Sequence, residues 1–224
     1  MESVVEILKR YSIPIASQNE QQIFSKEVEG KSLIITNGYN FEKSLNCDQN
    51  WKNYMQSLLA YIERLDKTEQ DEVRSKIDFQ DWHWDWGKKT MSTKADNHYE
   101  WFYLEIDNSV EAACLIFFPK ESILNSNESI FYIEYIAVAP WNRYTPLGAK
   151  RYTGLGGLLL VQAIKFLARK YQHTGRFCLH SLPQAEGFYL SKLQMQHLAL
   201  GDKTELKYFE MTEDVLELFL GEVA

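Results

Sequence analysis

The chain of 224 residues lacks any apolar run that approaches the ~20 residues needed for a membrane-spanning helix. It also lacks an excess of positive charge, because 31 Asp and Glu outnumber 24 Lys and Arg, for a formal net charge of −7. A general nucleic-acid binder needs a basic face. The opening stretch MESVVEILKR contains no signal-peptide core. These absences predict a cytoplasmic globular protein that binds neither membranes nor nucleic acids.

Cysteine is scarce as well, and the three residues Cys47, Cys114 and Cys178 are scattered along the chain. An odd number without regular spacing argues against a disulfide framework. Two of them stand in apolar, strand-like runs, which is typical of small buried hydrophobic residues in a reducing cytoplasm. The length suits one large domain, or one domain with an extension.

Two helices are predicted in the first third of the chain. Apolar residues recur at helical spacing over residues 2–11 and again over Trp51–Leu65. Asp48 or Asn50 is expected to cap the second helix, because a short polar side chain can accept a hydrogen bond from a first-turn amide.

Between and after these helices the pattern changes. A short strand is predicted at Leu33–Thr36, and the charged run Lys67–Lys76 is expected to be a solvated helix or loop. We therefore divide the chain into a helical N-terminal extension, residues 1–75, packed on a main domain of residues 76–224.

Tryptophan alternates with polar residues in the stretch DFQDWHWDWGKK, residues 78–89. If this stretch is extended, its three tryptophans share one face. The polar residues Asp81, His83 and Asp85 then share the other. One interpretation is a strand with a buried tryptophan face and a solvated polar face. The other is an acceptor pocket whose carboxylates attract a cationic amine. No metal site is predicted, because same-face strand neighbours lie ~7 Å apart and no further ligands follow.

The remainder of the chain alternates between strands and helices. Strands are predicted at residues 99–106, 111–119, 131–139, 176–182, 195–200 and 206–211. Helices are predicted at residues 154–170, 184–193 and 212–220. This order predicts an α/β (α+β) fold in which helices cover the faces of a sheet.

Three glycines, Gly154, Gly156 and Gly157, follow the strand that ends at Ala139 and open the next helix. Pro140 ends the strand because proline offers no N–H to a ladder. Amides at a helix start lack partners and lie at the positive end of the helix dipole. The glycine turn therefore suits a phosphate group.

Two common nucleotide motifs do not fit this turn. A P-loop requires Lys after its second glycine, but Leu155 follows Gly154. A dinucleotide fingerprint requires a third glycine where this chain has Leu159.

The turn RYTGLGG, residues 151–157, follows a strand that ends AVAP. It resembles the acetyl-CoA signature of the GNAT superfamily of N-acetyltransferases, Arg/Gln-x-x-Gly-x-Gly/Ala. The segment AEGFYLSKLQM, residues 185–195, looks like the A-x-x-F-Y-x-x-x-G-F helix of that family, although Gln194 and Met195 stand where Gly and Phe are commoner. The resemblance covers about residues 99–211. It implies a GNAT-like central mixed, mostly antiparallel sheet with helices on both faces.

The resemblance also implies a co-substrate, acetyl-CoA, and no metal. Backbone near Val138 and Ala139 would pair with the pantetheine arm, and Arg151 would either add a cation near a phosphate or remain a solvated loop residue. The amides that would hold the pyrophosphate belong to Tyr152, Thr153, Gly154, Leu155, Gly156 and Gly157.

Transfer to an amine requires removal of a proton, since a lysine-like amine of pKa ~10.4 is neutral about once in 2,500 at pH 7. Glu134 lies on the strand beside the coenzyme, where several family members carry an acidic residue, and it is the candidate base. Burying a carboxylate without a purpose is costly, but a salt bridge at the strand end is an equal alternative. Tyr189 matches the family tyrosine thought to protonate the leaving thiolate. Its alternative role is that of a core aromatic residue.

The expected partner is a primary amine of a small molecule or a protein, and the chain is expected to be a monomer or a homodimer. The candidate acceptor-binding residues are Asp81, His83 and Asp85, together with Trp141 and Arg143 of the long loop over residues 140–150. A rival interpretation is a CoA-binding or protein-interaction module that keeps the fold without turnover. A toxin that acetylates aminoacyl-tRNA is less favoured, because the chain is acidic.

Overall fold

The computed structural model describes residues 20–221, so the helix predicted over residues 2–11 lies outside the described residues. The strands are β1 (Gln21–Val28), β2 (Lys31–Asn37), β3 (Tyr99–Ile106), β4 (Ser109–Glu121), β5 (Ser129–Val138), β6 (Phe177–Ser181), β7 (Gln196–His197) and β8 (Lys207–Glu210). The α-helices are α1 (Phe41–Ile62), α2 (Lys67–Lys76), α3 (Trp86–Thr93), α4 (Leu155–Tyr171) and α5 (Glu213–Gly221).

The strands form one sheet in the order β1-β2-β3-β4-β5-β6-β8-β7. All neighbours are antiparallel except β5 and β6, which run parallel. Parallel neighbours need a crossover connection longer than a hairpin turn, and α4 supplies it. The predicted mixed, mostly antiparallel sheet is confirmed.

Helices cover both faces of this sheet, because alternate side chains of a strand point to opposite sides. Cys114 of β4 packs in one core with Leu159 of α4 and Phe219 of α5. The next residue, Leu115, packs in a second core with Trp51 of α1. All three cysteines are buried free thiols, which confirms the burial predicted for the two in strand-like runs. No helix of the described chain is both long and apolar enough to cross a membrane.

The two strands predicted at residues 99–106 and 111–119 form the β3–β4 hairpin. Ile106 pairs with Ser109, and the two turn residues Asp107 and Asn108 have φ of 49° and 64°. This left-handed pair matches the twist of a two-residue hairpin turn, and Asp and Asn tolerate it well. The charged helix α2 buries none of its side chains, which confirms that the predicted run is solvated.

The predicted start of α1 is wrong. The helix begins at Phe41, where the Asn40 side chain accepts a hydrogen bond from the Lys43 amide at 3.0 Å. Asp48 lies inside this helix and caps a different one, because its carboxylate accepts from the amides of Trp86 and Gly87, both at 2.8 Å. The sequence shows that Asp48 can cap a helix but not which helix it reaches.

The predicted extended alternation at residues 78–89 is also wrong, because turns lead directly into α3. The Asp85 carboxylate accepts from the Lys88 amide at 2.8 Å and so provides the N-cap of α3. The tryptophans therefore do not share a face: Trp82 is 55% exposed, whereas Trp86 is 2% exposed. Because Asp48 and Asp85 both accept hydrogen bonds from amides at the start of α3, this segment begins a helix despite its strand-like alternation of residues.

The described part of the predicted N-terminal extension contributes strands as well as helices. β2 pairs with β3, with Leu33 opposite Ile106, and β1 pairs with β2. The predicted strand at Leu33–Thr36 is thus part of the central sheet. The boundary at residues 75 and 76 stays a prediction.

Candidate active site

The parallel strands β5 and β6 separate and leave a cavity between them. In the described chain they pair through three residues each, from Phe131 opposite Phe177 to Ile133 opposite Leu179. Beyond these pairs the strands diverge, and a cavity of about 780 Å³ occupies the opening. Small-molecule sites typically measure ~300–1,000 Å³.

Glu134 is the extra residue of a β-bulge at the point of separation. Leu115 of β4 is opposite Tyr135, but the next residue, Ile116, is opposite Ile133. Glu134 therefore has no partner in the register. A bulge increases the local twist of its strand and redirects side chains. Here it places Glu134 on the wall of the cavity.

The surroundings of Glu134 act on its charge in two directions. Burial raises the pKa of the Glu134 carboxyl above its ordinary value, and the positive charges of Lys203 and Lys89 oppose that shift. The neighbouring phenols of Tyr132 and Tyr135 also have a raised pKa, first because of burial and then because of the Glu134 charge. A half-buried carboxyl with a raised pKa, on a cavity wall, is suited to accept a proton.

Tyr189 reaches the same cavity from the opposite side of the sheet. It lies in a π-helical turn, Phe188–Lys192, is 8% exposed and belongs to the core beneath α4. Burial holds the pKa of its phenol well above the ordinary value, so the hydroxyl carries its proton at neutral pH. Glu134 faces Lys89 of α3 on the other side. A group in the opening between the strands would therefore lie between a carboxylate and a phenol.

The predicted glycine turn forms one end of the cavity. Gly154 is the N-cap of α4, with φ 75° and ψ 1°, a left-handed conformation that glycine adopts without strain. No side chain of the described residues caps this helix start, so its first amides are open to the cavity that Gly157 and its neighbours line. A Cβ at Gly156 would lie 3.3 Å from Val138 Cγ1, so glycine lets the helix approach β5 closely. The geometry is that of an anion-binding helix N-terminus.

A buried carboxylate anchors the loop before this turn. Glu111, 2% exposed, accepts hydrogen bonds from Trp141 Nε1 and Asn142 Nδ2, both at 2.6 Å. Asn142 Oδ1 in turn accepts from the Tyr152 amide at 3.1 Å. Trp141 is therefore part of the core behind the cavity wall and does not line the cavity as an acceptor contact. Trp141 and Asn142 set the position of the glycine turn relative to β4.

The first two residues of the turn, Arg151 and Tyr152, donate hydrogen bonds from their backbone amides to the preceding loop. The Tyr152 amide is engaged by the loop asparagine, and the Arg151 amide donates to the Trp141 carbonyl at 3.2 Å. The Arg151 guanidinium stacks on the Trp141 ring, 4.9 Å from its centroid, and Thr153 is exposed outside the cavity lining. The amides of Arg151 and Tyr152 are thus engaged, and residues 154–157 line the cavity with helix-start amides that suit a phosphate.

Of the two predicted pantetheine-pairing residues, one faces the cavity. The Ala139 amide donates to the Glu111 carbonyl at 2.9 Å, toward β4. Backbone groups of alternate residues in an antiparallel strand point to opposite sides, so Ile136 and Val138 direct theirs toward the opening. The Val138 carbonyl there accepts from Arg143 Nε at 3.1 Å and Nη2 at 2.8 Å.

The predicted acceptor face forms in part, because Asp81 and His83 line the cavity and Asp85 does not. Both carboxylate oxygens of Asp81 accept from the Arg143 guanidinium, with Nη1 to Oδ1 at 2.6 Å, so this negative charge is neutralised. Asp85 caps α3 and lies away from the cavity lining. His83 does line the cavity, as does Asp78, whose carbonyl accepts from Arg143.

The segment of residues 78–84 bridges the mouth of the cavity. The Gln80 amide donates to Gln184 Oε1 at 2.8 Å, and the Gln184 amide donates to Gln80 Oε1 at 3.1 Å. On the β5 side, the same segment is held by the pair of Asp81 and Arg143. The bridge thus connects the two diverging walls.

Several residues of this site carry no signal in the sequence. Lys203 Nζ lies 5.7 Å from the ring centroid of Tyr132, and Lys89 Nζ lies 3.3 Å from that of Tyr135. His180 Nδ1 is 2.8 Å from the Tyr132 hydroxyl. These residues come from different elements, and the sheet order brings them together. No local sequence pattern predicts that these residues lie close together.

Comparison with known proteins places these features in context. No protein-family profile matches the sequence, and no curated protein matches it. Among similar solved structures is the PaiA N-acetyltransferase of Thermoplasma acidophilum in complex with coenzyme A. It is 11% identical, with 80% of this chain and 98% of that chain covered, at a TM-score of 0.46.

Two further similar structures are described as GNAT-family proteins. A putative acetyltransferase from Desulfovibrio desulfuricans is 10% identical, with 81% of this chain and 99% of that chain covered, at a TM-score of 0.48. An acetyltransferase from Listeria monocytogenes is 11% identical, with 84% and 98% covered, at 0.46. These similarities fall in the superfamily predicted from the sequence. Because all three TM-scores are below 0.5, the functional conclusion rests on the geometry of this chain.

Proposed function

We propose that this protein is an N-acetyltransferase that moves an acetyl group from acetyl-CoA to a primary amine of a small molecule or a protein. The observation that carries this proposal is the separation of β5 from β6 at the Glu134 bulge, next to the glycine turn of α4. The opening offers a phosphate-binding end, a length of strand backbone, and a carboxylate and a phenol on its walls.

The residues of the opening fit acetyl-CoA at three successive points. The open amides of residues 154–157, at the positive end of the α4 dipole, favour the pyrophosphate. The backbone groups of Ile136 and the amide of Val138 can hydrogen-bond the pantetheine arm as an added strand would, since Arg143 already occupies the Val138 carbonyl. The thioester would then lie near Glu134 and Tyr189.

The proton chemistry follows from the two side chains. An ammonium acceptor must lose a proton before its nitrogen can attack the thioester carbonyl, and Glu134 accepts it directly or through a water. As the C–S bond breaks, Tyr189 can supply the proton that converts the leaving thiolate to a thiol, and the second proton that the attacking nitrogen loses as the amide forms restores the phenol. Attack without a positioned base would use the small neutral fraction of the amine, and general acid–base help is typically worth 10²–10⁴-fold.

The test is to incubate the purified protein with labelled acetyl-CoA and a panel of small amines and peptides, and to follow thiol release and acetylated products by mass. Acetyl-CoA binding is measured in parallel by calorimetry. The proposal predicts binding, thiol release that depends on the amine, and a labelled amide product. Binding without amine-dependent thiol release would favour a non-catalytic CoA-binding module, and absence of binding would overturn the proposal.

A further inference from the structure

The end of the cavity around Glu134, here called the acceptor end, carries more positive charge than the sequence of this chain predicts. Lys203 lines this end, and Lys89 lies just behind Tyr135. Both lysines act on the charge of Glu134. Within the described residues neither lysine forms an ion pair with a carboxylate. Two cations therefore flank the one carboxylate that is placed to receive an amine proton.

The other aspartates around the cavity do not cancel the positive charges of Lys203 and Lys89. Asp81 is bound on both oxygens by Arg143, and Asp85 caps α3. Asp78 lines the cavity but is an exposed residue at its rim. Lys203 is exposed as well, but it lies over Tyr132, whereas the Asp78 backbone is held by Arg143 beside Val138, near the other end of β5. The part of the cavity between Glu134 and Lys203 therefore suits a ligand that carries negative charge beside its amine.

We infer that the acceptor is a small primary amine that carries an anionic group, a carboxylate or a phosphate, and that Lys203 binds this group while the amine lies at Glu134. This inference rests on the proposed acetyl transfer and names the class of its substrate. Complementary charges in a binding site give specificity and steer the ligand to one orientation. An amine without the anion would leave Lys203 unpaired and would be held by Glu134 alone.

Lys203 is the direct contact and Lys89 is a background charge. Lys203 belongs to the turn between β7 and β8, lines the cavity and lies over the Tyr132 ring. Lys89 Nζ is held against the Tyr135 ring at 3.3 Å, and desolvation lowers its pKa. The Tyr135 ring separates the Lys89 ammonium from the cavity, whereas the Lys203 ammonium can contact a ligand.

The test uses matched pairs of acceptors that differ in the anionic group alone: lysine and 1,5-diaminopentane, tyrosine and tyramine, and phosphoethanolamine and ethanolamine. Thiol release from acetyl-CoA gives kcat and KM for each. The wild-type protein is expected to favour the anionic member of at least one pair by about tenfold or more in kcat/KM. Whether the carboxylate pairs or the phosphate pair shows the preference identifies the anion.

Lys203→Gln is expected to bring that ratio close to one by raising KM for the anionic member, with little change in acetyl-CoA affinity. Lys203→Glu is expected to reverse the preference. Lys192→Gln removes the same charge from an exposed position outside the cavity and should leave the ratio unchanged.

Three results would overturn the inference. Equal or better turnover of the neutral or cationic members would remove the anion requirement while leaving acetyl transfer intact. A preserved preference in Lys203→Gln would remove Lys203 from recognition. Failure of every amine to release thiol would overturn the proposed function itself, and this inference with it.

Discussion

Burial disfavours the charged form of Glu134, and the lysines on either side of it favour that form. This balance makes the residue useful as a base, because a carboxyl whose pKa is moved toward neutrality holds a proton more strongly than an exposed one. Its neighbours in the strand do not share the role, since they point into the two cores or pair with β4.

Glu134→Gln is expected to lower kcat by about 10²–10⁴-fold at pH 7, because it removes the proton acceptor. The defect should shrink as pH rises toward the pKa of the amine, where the neutral acceptor becomes abundant. A pH–rate profile checks this, with Glu121→Gln, an exposed position on β4, as the control. A defect of constant size at every pH would assign Glu134 a structural role.

The variant Glu134→Gln also distinguishes a catalytic role of this carboxylate from a role in stability. The pKa of Glu134 is raised in the folded state above its ordinary value of 4.5, so the folded protein binds this proton more tightly than the unfolded chain. The corresponding stabilisation is complete below pH 4.5 and is lost as pH rises through the folded pKa. Glu134→Gln should therefore unfold at pH 7 no more easily than wild type in urea. A marked loss of stability there would show that the carboxylate holds the fold.

Tyr189→Phe removes a hydroxyl and retains the ring that packs in the core. A thiolate is a manageable leaving group, so kcat is expected to fall by roughly tenfold, less than the ~10²–10⁴-fold that is typical of general acid–base help. The affinity for acetyl-CoA should stay nearly unchanged. Steady-state kinetics and calorimetry measure the two quantities, and Tyr61→Phe, on exposed α1 surface, is the control. Wild-type turnover would remove Tyr189 from the mechanism.

At the scale of elements, the start of α4 depends on the absence of side chains. Gly156→Val would place a Cβ 3.3 Å from Val138 Cγ1 and add bulk beside the amides of the turn. Such overpacking costs ~1–3 kcal/mol, and the same cost at the binding site would lower acetyl-CoA affinity by about 5- to 150-fold. Gly148→Ala is the control, because a Cβ there meets nothing within 4 Å. Unchanged affinity in Gly156→Val would place the coenzyme elsewhere.

Elements with local signals were predictable from the sequence, and elements set by distant partners were not. The Asp107–Asn108 turn and the glycines before α4 are marked by their own residue types. The bulge at Glu134 depends on the register between β4 and β5, which no short window contains. The Trp-rich alternation failed because Asp48, far away in the chain, caps α3. A capping partner outside the window can reverse a strand prediction.

At the scale of the whole molecule, the sheet gathers residues from distant parts of the chain around one opening. The bridge of residues 78–84 comes from before the main strands, and Lys203 comes from near the end. The sequence predicted the donor side of the site, where a compact motif suffices. The acceptor side could not be predicted, because its charges meet through tertiary structure alone.

The most direct test of the central claim, that the opening between β5 and β6 binds acetyl-CoA, is hydrogen–deuterium exchange with and without acetyl-CoA. Amides at a helix start and on an unpaired strand edge exchange readily until a ligand covers them. We predict slower exchange on binding in peptides that contain residues 154–157 and 134–138, with the solvated helix α2 unchanged. Binding that leaves both peptides unprotected, or that protects another part of the sheet, would contradict the account.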